Sequence, residues 1–200
     1  MPYLSNAGTF LISTLFGVVI LAVMMRFLLQ LIRADYYNPF SQFLVKVTNP
    51  ILVPIRRIIP GLWGIDMASV TLMVTLQFVE LLLTMLILGY SANVIGLLLL
   101  TVEGLLRLAY YIFLFSIIIQ VIASWLQQGG YNPVMILLHQ INEPLLGRAR
   151  RMIPPVSGLD LSPLLVLAAL HLISLLLLDP LRDFGFSLAL GQQLAMPLPH

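Results

Sequence analysis

The stretch 37–66, YNPFSQFLVKVTNPILVPIRRIIPGLWGID, returns at 131–160 as YNPVMILLHQINEPLLGRARRMIPPVSGLD. The offset is a constant 94 residues without a gap, and 12 of the 30 positions are identical. Hydrophobicity alone would pair Leu with Ile. It would not align Tyr37, Asn38, Pro39, Pro50, Arg56, Arg57, Pro60, Gly64 and Asp66 with Tyr131, Asn132, Pro133, Pro144, Arg150, Arg151, Pro154, Gly158 and Asp160. A repeat of this kind is one structural unit used twice.

Apolar runs flank both copies. Hydrophobic residues make up 60% of the chain and charged ones 9%, against roughly 25% charged in a soluble domain. So few charges cannot cover a water-exposed surface, and the chain reads as an integral membrane protein. A spanning helix needs about 20 mostly apolar residues. Four runs qualify: 10–32, 67–88, 104–126 and 161–178, the last ending at Asp179-Pro180. The expected architecture is all-α, with four principal transmembrane helices in two two-helix repeats. The first repeat covers 1–93 with its connector at 33–66, the second covers 94–182 with its connector at 127–160, and a C-terminal tail follows over 183–200.

The segment 94–102, VIGLLLLTV, stays open. Fused to the third span it would make 33 residues, about 50 Å of helix, which exceeds a hydrocarbon core of about 30 Å. It reads as interfacial, re-entrant or a tilted extension. The first nine residues hold no Lys or Arg, so the first run is expected to be a retained helix and not a cleaved signal.

Charge placement sets the expected topology. Arg33, Lys46, Arg56, Arg57, Arg148, Arg150 and Arg151 put seven of the ten basic residues in the two connectors. Short loops rich in Lys and Arg stay cytoplasmic, so both connectors are expected there and both termini outside. Each unit has an even number of spans, so the units are parallel and related by an axis along the membrane normal.

Within each connector, Phe40, Phe43, Leu44, Val47 and Ile51, and likewise Val134, Leu137, Leu138, Ile141 and Leu145, recur at helical spacing. Asn-Pro suits an N-cap followed by Pro at the first helical position. Pro50 and Pro144 are expected to interrupt or kink the helix. The pattern is that of an amphipathic helix in the membrane interface. There Arg56, Arg57, Arg150 and Arg151 could pair with anionic lipid phosphates, dock a protein partner, or only mark topology. Asp66 and Asp160 each open a span, as a helix cap, an ion-pair partner of the arginines, or both.

Polar residues within spans are costly and usually partnered. Three recur at the 94-residue offset: Arg26 with Gln120, Gln77 with His171, and Glu80 with Ser174. Arg107 is the expected partner of Glu80, with Glu103 competing at i,i+4, and Arg26 is expected to snorkel to the interface. These side chains read as helix-to-helix glue, or alternatively as the lining of a small ion or osmolyte path. The chain has no cysteine, no diagnostic His spacing for a metal or heme, and no P-loop, G-x-S-x-G or H-E-x-x-H motif. No catalytic residue, cofactor, metal or nucleic-acid surface is expected; a homo-oligomer is compatible with the sequence.

The doubled pattern N-P-x(10)-P-x(5)-R-R-x-I-P-x(3)-G-x-D resembles the YggT family, also called YlmG, in its two-copy proteobacterial form. The resemblance implies a small bacterial inner-membrane protein without enzymatic activity. It also implies links to osmotic-stress tolerance, to the neighbourhood of cell-division genes and, in plastids, to cytochrome-complex assembly. Residues 49 and 61, Asn and Gly in the first copy, are Glu143 and Pro155 in the second. The leading expectation is a scaffold or assembly factor working from its connectors; the alternative is a small transporter or channel.

Overall fold

The computed structural model describes residues 2–91, 93–126, 132–153 and 160–191. Tyr131, Pro154 and Gly158 of the second motif, and the tail beyond 191, lie outside these. Helix α1 is Pro2–Leu31, α2 is Pro39–Ile58, α3 is Met67–Leu88, α4 is Val94–Leu126 and α5 is Pro133–Met152. Helix α6, Ser162–Ile173, passes through a π-helical turn, Ser174–Leu178, into α7, Asp179–Leu190. Four stretches are long and apolar enough to cross a membrane: Tyr3–Leu31, Met67–Leu88, Val94–Ser124 and Ser162–Leu190. The molecule is a multi-pass helical membrane protein of two repeats.

Helix α1 packs along α3, and α4 packs along α6, the π turn and α7. Helices α2 and α5 touch their own unit's spans and each other, so both connectors lie at one end, as the parallel repeat requires. Leu29, Leu44, Leu137 and Ile141 form a buried cluster where α1, α2 and α5 meet. Asn38 joins the connectors: its Oδ1 accepts from Phe40 N–H at 3.0 Å, capping α2, while its Nδ2 donates to the Pro133 carbonyl at 2.7 Å. Asn132 caps α5 through Val134 N–H at 3.0 Å.

The first span opens at Pro2 and not at residue 10, the last runs beyond residue 178, and the segment left open by the sequence is placed. The segment 94–102 is the opening of α4, a single helix of 33 residues. Subtracting the 94-residue offset maps it onto the residues that open α1. It is therefore the second copy of the same projecting end. The fourth span does not stop at Pro180, and the supposed tail from 183 is helix through Leu190. Proline lacks an N–H and its ring crowds the carbonyl four residues back. Here the π turn, closed by Asp179 N–H donating to the Ser174 carbonyl, widens the spiral just before the proline. What holds the extension is contact. Gly96 brings the α4 backbone against Ala189, and Gly185 admits Leu100, so 94–102 and 183–190 cover one another.

The connectors also depart from a simple interfacial helix. Helix α2 runs on through Pro50 and Pro54, and α5 through Pro144. Of the apolar residues counted on α2, Leu44 is buried while Phe43, Val47 and Ile51 are exposed. The buried face is Ser41, Leu44, Thr48 and Leu52. The Thr48 hydroxyl lies on the inside, where it meets a buried charge.

Candidate functional site

Arg26 is buried and does not snorkel. Its Nη1 donates to Thr48 Oγ1 at 2.6 Å, Asn49 Oδ1 at 2.9 Å and the Val45 carbonyl at 3.4 Å. A buried guanidinium is tolerable only when its donors are satisfied, and α2 lies close enough to satisfy them. At the matching place in the second unit, Gln120 Oε1 accepts from Asn142 Nδ2 at 2.8 Å and Nε2 meets His139 Nδ1 at 2.8 Å. Ser116 Oγ completes the group by donating to Asn142 Oδ1 at 2.6 Å. Thr48 and Asn142 share the 94-residue offset, as do Val45 and His139. Each unit thus ties its first span to its connector by one buried polar clamp, charged in the first and neutral in the second. Thr48, Asn49, Ser116, His139 and Asn142 were absent from the sequence-derived candidates. A signal was present for Thr48, Asn49 and Asn142, which are polar at positions where both copies are polar; Ser116 and His139 stand opposite Ala22 and Val45 and gave none.

The two aspartates sit alike. Asp66 caps α3, accepting from Ser69 N–H at 3.4 Å and from Ser69 Oγ at 2.6 Å, and it is ion-paired with Arg56. Asp160 accepts from Ser162 N–H at 2.9 Å and from Arg150 Nε at 2.9 Å. Capping and pairing coexist in Asp66; Asp160 sits one residue before the cap position of α6, Leu161, and combines its bond from Ser162 N–H with the pair to Arg150. Burial raises the Asp66 carboxyl, but the Arg56 and Ser69 hydrogen bonds outweigh it and leave the group below the usual carboxylate range. Asp160 is lowered as well: burial raises it, and the Ser162 and Arg150 bonds more than reverse this. A carboxyl lowered on folding adds stability that is present above its unfolded value and lost as pH falls through the folded one. Thermal unfolding in detergent should therefore show stability dropping below about pH 4. The drop should shrink in Asp66→Asn; an unchanged acid limb would remove Asp66 as its source.

The arginine doublets divide. Arg56 and Arg150 turn inward to the aspartates. Arg57 and Arg151 are exposed, each followed by an exposed apolar residue, Ile58 or Met152. The four are therefore not equivalent: Arg56 and Arg150 are held in ion pairs with side chains 35% and 34% exposed, while the second of each doublet, with its neighbour, is exposed and outside those pairs. Beyond α2, Trp63 is fully exposed at the tip of a tight turn closed by paired bonds between Leu62 and Ile65.

The intramembrane candidates do not converge. Gln77 Nε2 donates to Glu80 Oε2 at 2.6 Å. Arg107 pairs instead with Glu103 and, at 2.8 Å, with Asp179, so Glu80 is not its partner. Asp179 comes within reach only because the last span continues past Leu178. Ser174 is buried at the π turn, and His171 is exposed on α6. Helix α3 makes no backbone contact with α6, so Gln77 and Glu80 share no cluster with His171 and Ser174. Among the described residues, no group of three His, Asp or Glu could hold a metal ion.

Known proteins bear on this arrangement. The family model described as CCB3/YggT matches twice, at residues 5–87 and 99–181, again 94 residues apart. An uncharacterised protein of Pseudomonas aeruginosa is 43% identical over 180 residues, covering 89% of this chain and 91% of its own. An uncharacterised protein encoded beyond proC in Vibrio alginolyticus is 39% identical over 188 residues, 92% of this chain and all of its own. The uncharacterised protein YggT of Escherichia coli K12 is 34% identical over 193 residues, 96% of this chain and all of its own. No solved structure matches. The chain belongs to the CCB3/YggT family.

Proposed function

We propose that this protein is a non-enzymatic scaffold or assembly factor of the bacterial inner membrane, working from the cytoplasmic ends of its two connector helices. One observation carries the reading: exposed Arg57-Ile58 and exposed Arg151-Met152 recur at the same place in both units, each anchored by an inward Arg–Asp pair. A cation beside an apolar side chain suits an acidic partner segment or anionic headgroups at the bilayer surface. The helices meet through their N-terminal halves, so the two ends are separate contact points on one molecule, and a weak contact at each adds avidity for a partner or surface that reaches both. Trp63 suits the same depth, where indole prefers the interface. Osmotic tolerance and envelope or division roles belong to this proposal as consequences of the complex so assembled. The transport reading lacks comparable support, because Gln77 and Glu80 are bonded to each other and stand apart from His171 and Ser174.

The test is in-cell photocrosslinking from Ile58 and Met152, followed by identification of what is captured. Arg57→Gln with Arg151→Gln should abolish the specific adduct and lower growth at high osmolarity, with membrane insertion unchanged. An adduct pattern identical in the double variant would sink the reading.

A further inference from the structure

Between the end of α1 and the first half of α2 lies a cavity of about 530 Å³. Arg26, Gln30, Arg33, Ser41, Asn49 and Arg56 supply its polar lining, and no carboxylate does. Arg56 is offset by Asp66, but among the described residues neither Arg26 nor Arg33 has a carboxylate within ion-pair reach. The protein bonds of Arg26 all use Nη1, which leaves the rest of the guanidinium edge to the cleft. Arg33 stands at the C-terminal end of α1 with a left-handed φ of 55°, a conformation that L-residues rarely adopt. Its charge offsets the carbonyl end of α1, which would otherwise repel an anion. An independent sign of a missing ligand is Ser41. It is 7% exposed and lines the cleft, yet its Oγ has no hydrogen-bond partner. A buried hydroxyl left unpaired is costly; the Oγ is shielded from water as placed, and rotation of this short side chain toward the cleft would bring it to an acceptor bound there.

We propose that this cleft binds one phosphate group, carried by an anionic phospholipid or free in solution. Guanidinium forks match phosphate oxygens in pairs, and the Ser41 hydroxyl supplies a neutral donor beside them. Leu29 and Leu44 give an apolar wall against which a glyceride can lie. The second unit has lost the site. Gln120, Met135 and Glu143 stand where the first has Arg26, Ser41 and Asn49. The cavity beside α5, about 540 Å³, shares Arg33 with the first cleft but sets the carboxylate of Glu143 in its lining, with Arg148 and Arg151. The duplicated fold therefore carries one phosphate site, not two. The proposal shares with the scaffold reading only the placement of this end at a bilayer surface, and it uses other residues.

The test uses the full chain in phosphatidylcholine nanodiscs, titrated separately with inorganic phosphate and with short-chain phosphatidylglycerol, read by native mass spectrometry and thermal shift. One equivalent should bind. Binding of the lipid alone, of phosphate alone or of both identifies the source, and each supports the site. Arg33→Gln and Arg26→Gln should each weaken binding at least about tenfold, and Ser41→Ala about fivefold. Arg182→Gln, on α7 and outside the cleft, should stay within about twofold. Gln120 shows that glutamine can serve the clamp, and Arg33→Gln and Ser41→Ala keep the test decisive if Arg26→Gln unfolds. No binding by the wild type, undiminished binding in Arg33→Gln and Ser41→Ala, or an equal loss in Arg182→Gln would overturn the proposal. Intact phosphate binding with unchanged connector crosslinks in the Arg57/Arg151 variant would defeat the scaffold reading alone.

Discussion

Gly96→Val is expected to force α4 and α7 apart and to cost about 3 kcal/mol, the upper part of the range for overpacking. A Cβ at Gly96 would stand 2.2 Å from the Ala189 nitrogen and 2.4 Å from its Cα. Those are backbone atoms in a helix, so no rotamer change relieves the clash and the whole helix must move. Moving it opens the buried cluster of Met85, Leu97, Leu100 and Ala189. Inside a bilayer, lipid tails are as apolar as the helix faces, so close packing of small residues is much of what holds spans together. The matched control is Gly17→Ala. Nothing lies within 4 Å of a Cβ there, and removing a helical glycine should be neutral or stabilising by a few tenths of a kcal/mol. Unfolding in mixed micelles by SDS titration reads both. Gly96→Val unfolding within about 0.5 kcal/mol of wild type would mean that α7 is not held by this approach.

Asp66→Asn is expected to cost about 2 kcal/mol and Asp160→Asn about 0.5 kcal/mol, although the two residues occupy the same place in the repeat. Asparagine caps a helix as well as aspartate, so the substitution isolates the ion pair from the cap. Removing one partner of a fully buried pair costs roughly 3–5 kcal/mol. The Asp66 side chain is 5% exposed but Arg56 is 35% exposed, so water relieves part of the stranded charge. The Arg150 and Asp160 side chains are 34% and 35% exposed, which places them with surface pairs. Arg150 also keeps Glu143 at 3.1 Å after Asp160 is neutralised. The same titration checks both variants, and equal losses would show that burial does not set the difference.

These two cases also mark how far the chain could be read in advance. Helix class, repeat length, parallel arrangement and the Asn-Pro caps were legible, because they follow from hydropathy, a 94-residue period and local backbone chemistry. The Arg–Asp pairs were legible as one option, since each aspartate follows its doublet by only nine or ten residues, across the short loop that leaves the connector. The ends were not. Hydropathy falls at Asp179-Pro180, and nothing local shows that a π turn carries the helix on to meet Gly96. Arg26 beside a helix end reads as a snorkelling residue until α2 is seen to bring Thr48 and Asn49 against it.

The sequence by itself determined the unit: two spans and a basic connector, written twice and facing one way. That information is short-range or periodic, so one dimension holds it. The tertiary structure alone decided which charges are satisfied within the protein and which are left over. Arg56, Arg107 and Arg150 find carboxylates, while Arg57 and Arg151 face outward and Arg26, Arg33 and Ser41 line a cleft in the first unit only. The physical reason is that the energy of a charge or hydroxyl depends on what lies within about 4 Å of it, and those neighbours come from helices far apart in the chain.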